Sequence, residues 1–141
     1  MKTPMLAAAA ATLLLSACSA PVYLSGQMSG AQEVPPTRSA GTGVVSATVY
    51  PSTGAMSYKV EYAGLSGPAT AAHFHGPAAP GANAPVVAPF ASPATPISGT
   101  ANLTAAQMAD VMAGRWYANV HTAANPGGEI RGWLQPSRTP R

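Results

Sequence analysis

The strongest constraint on the fold is an alternation of apolar and polar residues that recurs along short segments of the chain. In segment 56–62 every second residue is apolar, namely Met56, Tyr58, Val60 and Tyr62. Successive side chains of a strand point to opposite faces, so this pattern predicts a strand with one buried face. Segment 44–50 alternates in a similar way, and the turn-forming residues 51–54 lie between the two. The sequence therefore predicts a β-hairpin at this point.

The same reasoning predicts further short strands, separated by Gly, Pro and Asn, over residues 69–75, 84–88, 97–103, 115–121 and 129–135. Residues 76–81 are rich in Pro, Gly and Ala and predict a loop. One short helix is indicated by the capping-box spacing of Thr104 and Gln107, and by Gly114 as its stop. The predicted fold class is all-β: an antiparallel β-sandwich or Greek-key-like barrel with one short helix.

The N-terminal residues indicate export. Lys2 provides a positive charge, and the apolar stretch 6–15 is too short to span a bilayer, so residues 1–17 predict a signal peptide. Residues 15–18, Leu-Ser-Ala-Cys, resemble the lipobox of bacterial lipoproteins, which implies that Cys18 is acylated and begins the mature chain. A plain secretory signal with an incidental cysteine is the alternative. Ser19 at the next position implies sorting to the outer membrane, with the protein facing the periplasm.

Composition limits the partners and the chemistry of the mature chain. We expect a tether at 18–23, one domain at 24–135 and a flexible tail at 136–141. Only 8% of the residues are charged and no basic cluster occurs, which argues against nucleic acid as a partner. Cys18 is the only cysteine, so its acylation leaves no thiol for a disulfide, a metal ligand or a nucleophile.

The only histidines of the chain are His73, His75 and His121, and all three fall in predicted strands. In an H-x-H strand the two imidazoles stand on one face and can bind the same ion. Imidazole is the commonest protein metal ligand, so we predict one transition metal ion, copper or iron rather than zinc, although ligand type alone does not decide among them. The alternative is that each histidine is an ordinary surface or buried residue.

Strand alternation also groups other polar residues with the histidines. If Phe74, Ala118 and Ile130 face the core, the opposite face carries Tyr117, Asn119, Glu129, Arg131 and Trp133. We predict that Tyr117 and Asn119 contact the metal-binding histidines and do not bind the ion themselves.

Each charged residue that we assign to this site has two possible roles. Glu129 is a possible fourth ligand or orienting acceptor, or else a partner of Arg131 or Arg115. Arg131 is the predicted catalytic residue, which would attract a small anion, or else it pairs with Glu129 or Glu33. Glu33 either anchors the first strand or contacts the metal-binding residues without binding the ion itself.

Four segments resemble, in order, the motifs of the CHRD domain, first described in chordin and widespread in bacterial secreted proteins. They are GQMSGAQEVPP at 26–36, AAHFHGP at 71–77, YANVHT at 117–122 and PGGEIRG at 126–132. The resemblance covers about residues 24–134 and implies a β-sandwich-like domain without a settled activity.

A weaker resemblance is to copper-containing superoxide dismutases, which have an H-x-H strand, a later strand histidine and a C-terminal arginine that attracts superoxide. His73, His75, His121 and Arg131 follow that order. The zinc ligands, the disulfide and the fourth copper histidine have no counterpart, so a two-metal enzyme is excluded and a mononuclear relative is not. Iron or manganese dismutases match the ligand types but not the fold.

Other catalytic classes have little support. A Ser/His/Asp triad would need Asp110, the only aspartate, which lies on the predicted helix. Hydrolysis by paired carboxylates would need Glu33 with Glu129. We therefore predict metal-dependent redox chemistry on a small oxygen species, namely superoxide dismutation. The alternatives are a metal-binding or delivery protein without turnover, and a structural or adhesion module without metal.

Overall fold

The computed structural model describes residues 19–139, so Cys18 and the predicted signal peptide lie outside the described residues. The described chain forms one α-helix, α1 (Ala105–Met112), a single 3-10 turn (Gly30–Gln32), and nine strands. The strands are β1 (Val22–Ser29), β2 (Thr42–Tyr50), β3 (Ala55–Ala63), β4 (Ala69–His75), β5 (Val86–Pro89), β6 (Ile97–Asn102), β7 (Tyr117–Thr122), β8 (Ile130–Trp133) and β9 (Gln135–Ser137). Within residues 19–139 no helix is both long and apolar enough to cross a membrane.

The predicted hairpin is confirmed as β2 and β3. The two strands pair over their whole length, and Tyr50 lies opposite Ala55 at the turn. Gly54 closes the turn with φ +76°, a conformation that glycine adopts without steric cost, and its N–H donates to the Tyr50 carbonyl at 3.0 Å. Turn chemistry and strand alternation therefore agree at this site.

The predicted helix is also confirmed. Thr104 accepts from the backbone N–H of Gln107, and the Gln107 side chain accepts from the backbone N–H of Thr104, which completes the capping box. Gly114 follows the helix with φ +69°, and Val111 is fully buried in the core. The helix thus adds one apolar residue to an otherwise β-built core.

All strands belong to one antiparallel sheet in the order β5-β4-β7-β8-β1-β2-β3-β6, with β9 on β1. Aromatic rings connect the two ends of this sheet. Tyr58 of β3 lies 5.1 Å from Phe74 of β4 and 5.0 Å from Phe90, just after β5. The sheet is therefore nearly closed and barrel-like, and the predicted all-β class is confirmed.

The core combines residues that strand alternation placed on one face with further residues of β1 and β2. Phe74, Ala118 and Ile130 are fully buried together, and the cluster also contains Leu24, Met28, Val45, Val49, Met56, Val60, Val120 and Leu134. On the other face one cross-strand row brings together His73, Asn119, Arg131 and Ser29, from β4, β7, β8 and β1. This row positions the candidate site.

Strands extend into the two segments that were predicted to be a tether and a flexible tail. β1 begins at Val22, inside the predicted tether, and β9 covers residues 135–137, where the predicted tail begins. Tyr23 pairs with Ser137 and Ser25 with Gln135. β8 pairs with this edge of β1 only near Ser29, and β9 supplies strand partners for the backbone groups of residues 23–25.

Candidate metal centre

Neighbouring strands bring the three histidines together. On β4, His73 lies opposite Asn119 of β7, and Ala71 lies opposite His121, so His73 and His121 are diagonal neighbours. Their nitrogens, His73 Nδ1 and His121 Nε2, are 3.1 Å apart. One ligand atom from each of His73, His75 and His121 lies within 4.8 Å of the others. The three form a tris-histidine group that can hold a metal ion.

Backbone carbonyls fix two of the three rings. His75 Nδ1 lies 2.9 Å from the Ala84 carbonyl oxygen, and His121 Nδ1 lies 2.8 Å from that of Pro126. A carbonyl oxygen only accepts, so each Nδ1 carries the hydrogen, and in the neutral ring each Nε2 presents a lone pair. This arrangement is how proteins orient histidine ligands from behind.

The surroundings favour the neutral form of His73 and His75. Burial lowers the pKa of His73, and the neighbouring His121 and His75 lower it further. Burial also lowers the pKa of His75, although the Ala84 carbonyl and the Asn119 side chain oppose this. His75 Nε2 is buried and has no hydrogen-bond partner. A neutral nitrogen with an unused lone pair is what metal binding requires.

The loop over residues 76–85 covers this side of the sheet. The His75 ring stacks on Tyr117 with centroids 4.9 Å apart and planes within 2°. The Tyr117 hydroxyl accepts from the backbone N–H of Ala84 at 3.2 Å, beside the carbonyl that orients His75. Tyr117 thus contacts His75 and also binds the loop that carries the orienting carbonyl.

Arg131 adopts the second of its two predicted arrangements. Its side chain is 2% exposed and forms an ion pair with Glu33, with Nη2 2.7 Å and Nε 2.9 Å from Glu33 Oε2. It also donates to the Ala82 carbonyl and to the Asn83 side chain, and it lies over the Tyr117 ring at 4.1 Å. Its donors are taken up by protein acceptors, so the guanidinium ties loop 76–85 to the sheet.

Glu33 follows the 3-10 turn after β1 and lies on the face of the sheet that carries the histidines. Burial raises the pKa of its carboxyl group, and Arg131 opposes this rise. The Glu33 carboxyl group lies next to Asn119, on the side of that residue away from solvent.

Glu129 is not among the residues of the histidine group. It is fully buried, and its carboxylate accepts five hydrogen bonds, from the hydroxyls of Ser39, Ser66 and Thr122, the Ser66 backbone N–H and the Asn125 amide. Burial alone would raise the pKa of Glu129, but these bonds lower it to about 2. The fourth-ligand hypothesis for Glu129 is therefore replaced by a structural role. Arg115, its other predicted partner, pairs with Asp110.

Sequence reasoning missed the carbonyls of Ala84 and Pro126 and the hydroxyls around Glu129. The carbonyls belong to loops, and every residue has one, so no side-chain pattern identifies them. For Glu129 a signal did exist, because a lone carboxylate in an apolar strand needs several donors when it is buried.

Comparison with known families gives one match: the CHRD domain model matches residues 24–134. Searches of curated proteins and of solved structures find no match. The matched segment covers most of the chain and contains all three histidines, together with Glu33, Asn119, Glu129 and Arg131. The chain belongs to the CHRD domain family.

Proposed function

We propose that this CHRD domain binds one transition metal ion through His73, His75 and His121. The observation that carries the proposal is the convergence of three imidazoles within 4.8 Å, two of them oriented by backbone carbonyls. Three neutral imidazoles suit copper, iron and zinc. A bound copper or iron ion would supply one-electron redox chemistry, and a bound zinc ion would supply a Lewis acid.

The alternative of a purely structural histidine cluster explains less. A histidine that only fills space or fixes a loop uses its ring nitrogens in hydrogen bonds, as His75 Nδ1 does with Ala84. His75 Nε2, by contrast, is buried without any partner, which is costly for a polar atom. A metal ion accounts for this nitrogen, whereas a scaffold role does not.

Superoxide dismutation is the finer function, and it has weaker support than metal binding. Attraction of the anion was the predicted role of Arg131, but the charge of that guanidinium is balanced by Glu33 within the buried ion pair. What supports the enzyme is the histidine set alone. Binding or delivery of a metal without turnover needs nothing more than that set, and we favour it.

We also propose a location for the protein in the cell. We propose that Cys18 is lipidated and holds the domain at the outer membrane, facing the periplasm, on the strength of residues 15–18. Metal ions and small oxygen species would reach the site from the periplasm. This placement and the metal site are independent of one another.

Calorimetric titration with Cu²⁺, Fe²⁺ and Zn²⁺, each added separately to the purified protein, tests the proposal. We expect one site per chain, and sharply weaker binding in His73→Ala, His75→Ala and His121→Ala. Glu61→Ala is the control, because that exposed carboxylate on β3 reports adventitious surface binding. Binding should weaken below about pH 6, since protonated imidazole does not coordinate.

A dismutase assay on the loaded protein then separates the two functions. Turnover above that of the free metal would support the enzyme, and binding without turnover would support the carrier. Wild-type protein that binds none of these ions would overturn the proposed function.

A further inference from the structure

We infer that Asn119 Oδ1 is a fourth ligand at the histidine cluster, so that the site offers three imidazole nitrogens and one neutral oxygen. This inference rests on the proposed metal site and names the residue that completes its ligand set.

The position of Asn119 fits that role. It lies on β7 two residues before His121, on the same face, and pairs with His73 across β4. Its Oδ1 is 3.0 Å from His121 Nε2, and the same nitrogen is 3.1 Å from His73 Nδ1. The residue is 1% exposed, so its side chain is buried next to the histidines.

The contact between Asn119 and His121 is unusual for two neutral side chains. Because His121 Nδ1 donates its hydrogen to Pro126, Nε2 of the neutral ring presents a lone pair. Asn119 Oδ1 is also an acceptor, so two lone pairs face each other at 3.0 Å. A cation between them, a proton or a metal ion, would satisfy both. A metal ion would also use His75 Nε2, which is buried without a hydrogen-bond partner.

Glu33 lies next to the amide of Asn119. A Cβ on Gly128 would lie 2.6 Å from Glu33 Oε1 and 2.7 Å from Asn119 Nδ2, so both atoms are close to Gly128. Burial raises the pKa of Glu33, and Arg131 and the Asn119 amide oppose that rise. A carboxylate only accepts, so it selects the NH₂ group of the amide and turns Oδ1 toward the histidines.

Glu33 has one oxygen available for this task. Arg131 occupies Oε2, whereas Oε1 is buried and has no hydrogen-bond partner. The ion pair therefore acts on the site through Asn119. It positions an oxygen ligand rather than attracting a substrate.

A set of three imidazoles and one amide oxygen has a chemical consequence. Soft thiolate and thioether ligands select Cu⁺, whereas nitrogen and oxygen ligands suit divalent first-row ions. The inferred site should therefore prefer a divalent ion to Cu⁺.

The test uses Co²⁺ as the probe, because its visible absorption depends on the atoms that coordinate it. Purified wild-type protein is compared with Asn119→Ala, and with Asn119→Leu, of similar shape, if the alanine variant does not fold. Asn102→Ala is the control, since Asn102 is exposed at the end of β6, where it pairs with Ala55.

Loss of the oxygen should weaken Co²⁺ binding at least tenfold and change the spectrum at saturation. The affinity and the spectrum of Asn102→Ala should not change. If Asn119→Ala or Asn119→Leu reaches the wild-type spectrum at saturation, Asn119 is not a ligand and the inference is overturned, although the three-histidine site stands. Wild-type protein that binds no Co²⁺, Cu²⁺, Fe²⁺ or Zn²⁺ would overturn the proposed site itself.

Discussion

Glu129→Gln should destabilise the domain by up to about 3.5 kcal/mol at neutral pH. The carboxylate accepts five hydrogen bonds in a fully buried position, and the Gln side chain would turn one NH₂ group toward those donors. The magnitude follows from the pKa, which falls from 4.5 to about 2 in the folded protein. Each tenfold change in proton affinity corresponds to about 1.4 kcal/mol, which makes about 3.5 kcal/mol an upper limit.

The same carboxylate should give the wild-type protein a specific pH dependence. A lowered pKa in the folded state means that the unfolded chain binds the proton more readily. The stabilisation is therefore complete above about pH 5 and is lost as the pH falls toward 2. Glu129→Gln removes this contribution, so its stability should change less over that range.

Urea unfolding between pH 7 and pH 2.5 measures both effects. Glu61→Gln is the matched control, because Glu61 forms an exposed ion pair with Lys59 on β3 and its loss should change stability by less than about 1 kcal/mol. The reasoning is refuted if Glu129→Gln unfolds at the wild-type urea concentration throughout this range, since a buried carboxylate with five donors cannot be neutral to stability.

Two further predictions concern Arg131 and the N-terminus. Arg131→Ala should destabilise the domain by about 3–5 kcal/mol in urea unfolding, because it leaves Glu33 buried without its partner, whereas Lys59→Ala in an exposed pair should not; unchanged stability would contradict the structural role. Cys18→Ser should move the protein from the membrane fraction to the soluble fraction and abolish fatty-acid labelling, and wild-type protein that is soluble and unlabelled would exclude the anchor.

Local patterns predicted the strands, the helix and the shared face of the histidines. Alternation in β4 and β7 depends only on neighbouring residues, so it correctly placed Phe74 and Ala118 inside and His73 opposite them. The capping residues of α1 are likewise adjacent in sequence. Such features are determined within one element and need no knowledge of the rest of the chain.

The partners of the charged residues could not be predicted in the same way. Arg131 meets Glu33 across 98 positions of sequence, and Glu129 meets Ser39 across 90. These contacts depend on how the loops fold over the outer face, and polar loops have no periodicity to reveal this. The sequence left two partners open for Arg131, and tertiary packing selected Glu33.

The most direct test of the metal site is the metal content of the protein itself. The wild type and the His73→Ala/His75→Ala/His121→Ala variant are expressed with copper, iron and zinc supplied in turn, purified without chelators and measured by elemental analysis. We expect close to one ion per wild-type chain for at least one of the metals, and none in the triple variant. Wild-type protein that is free of all three metals, or a folded triple variant that is equally loaded, would contradict the tris-histidine site.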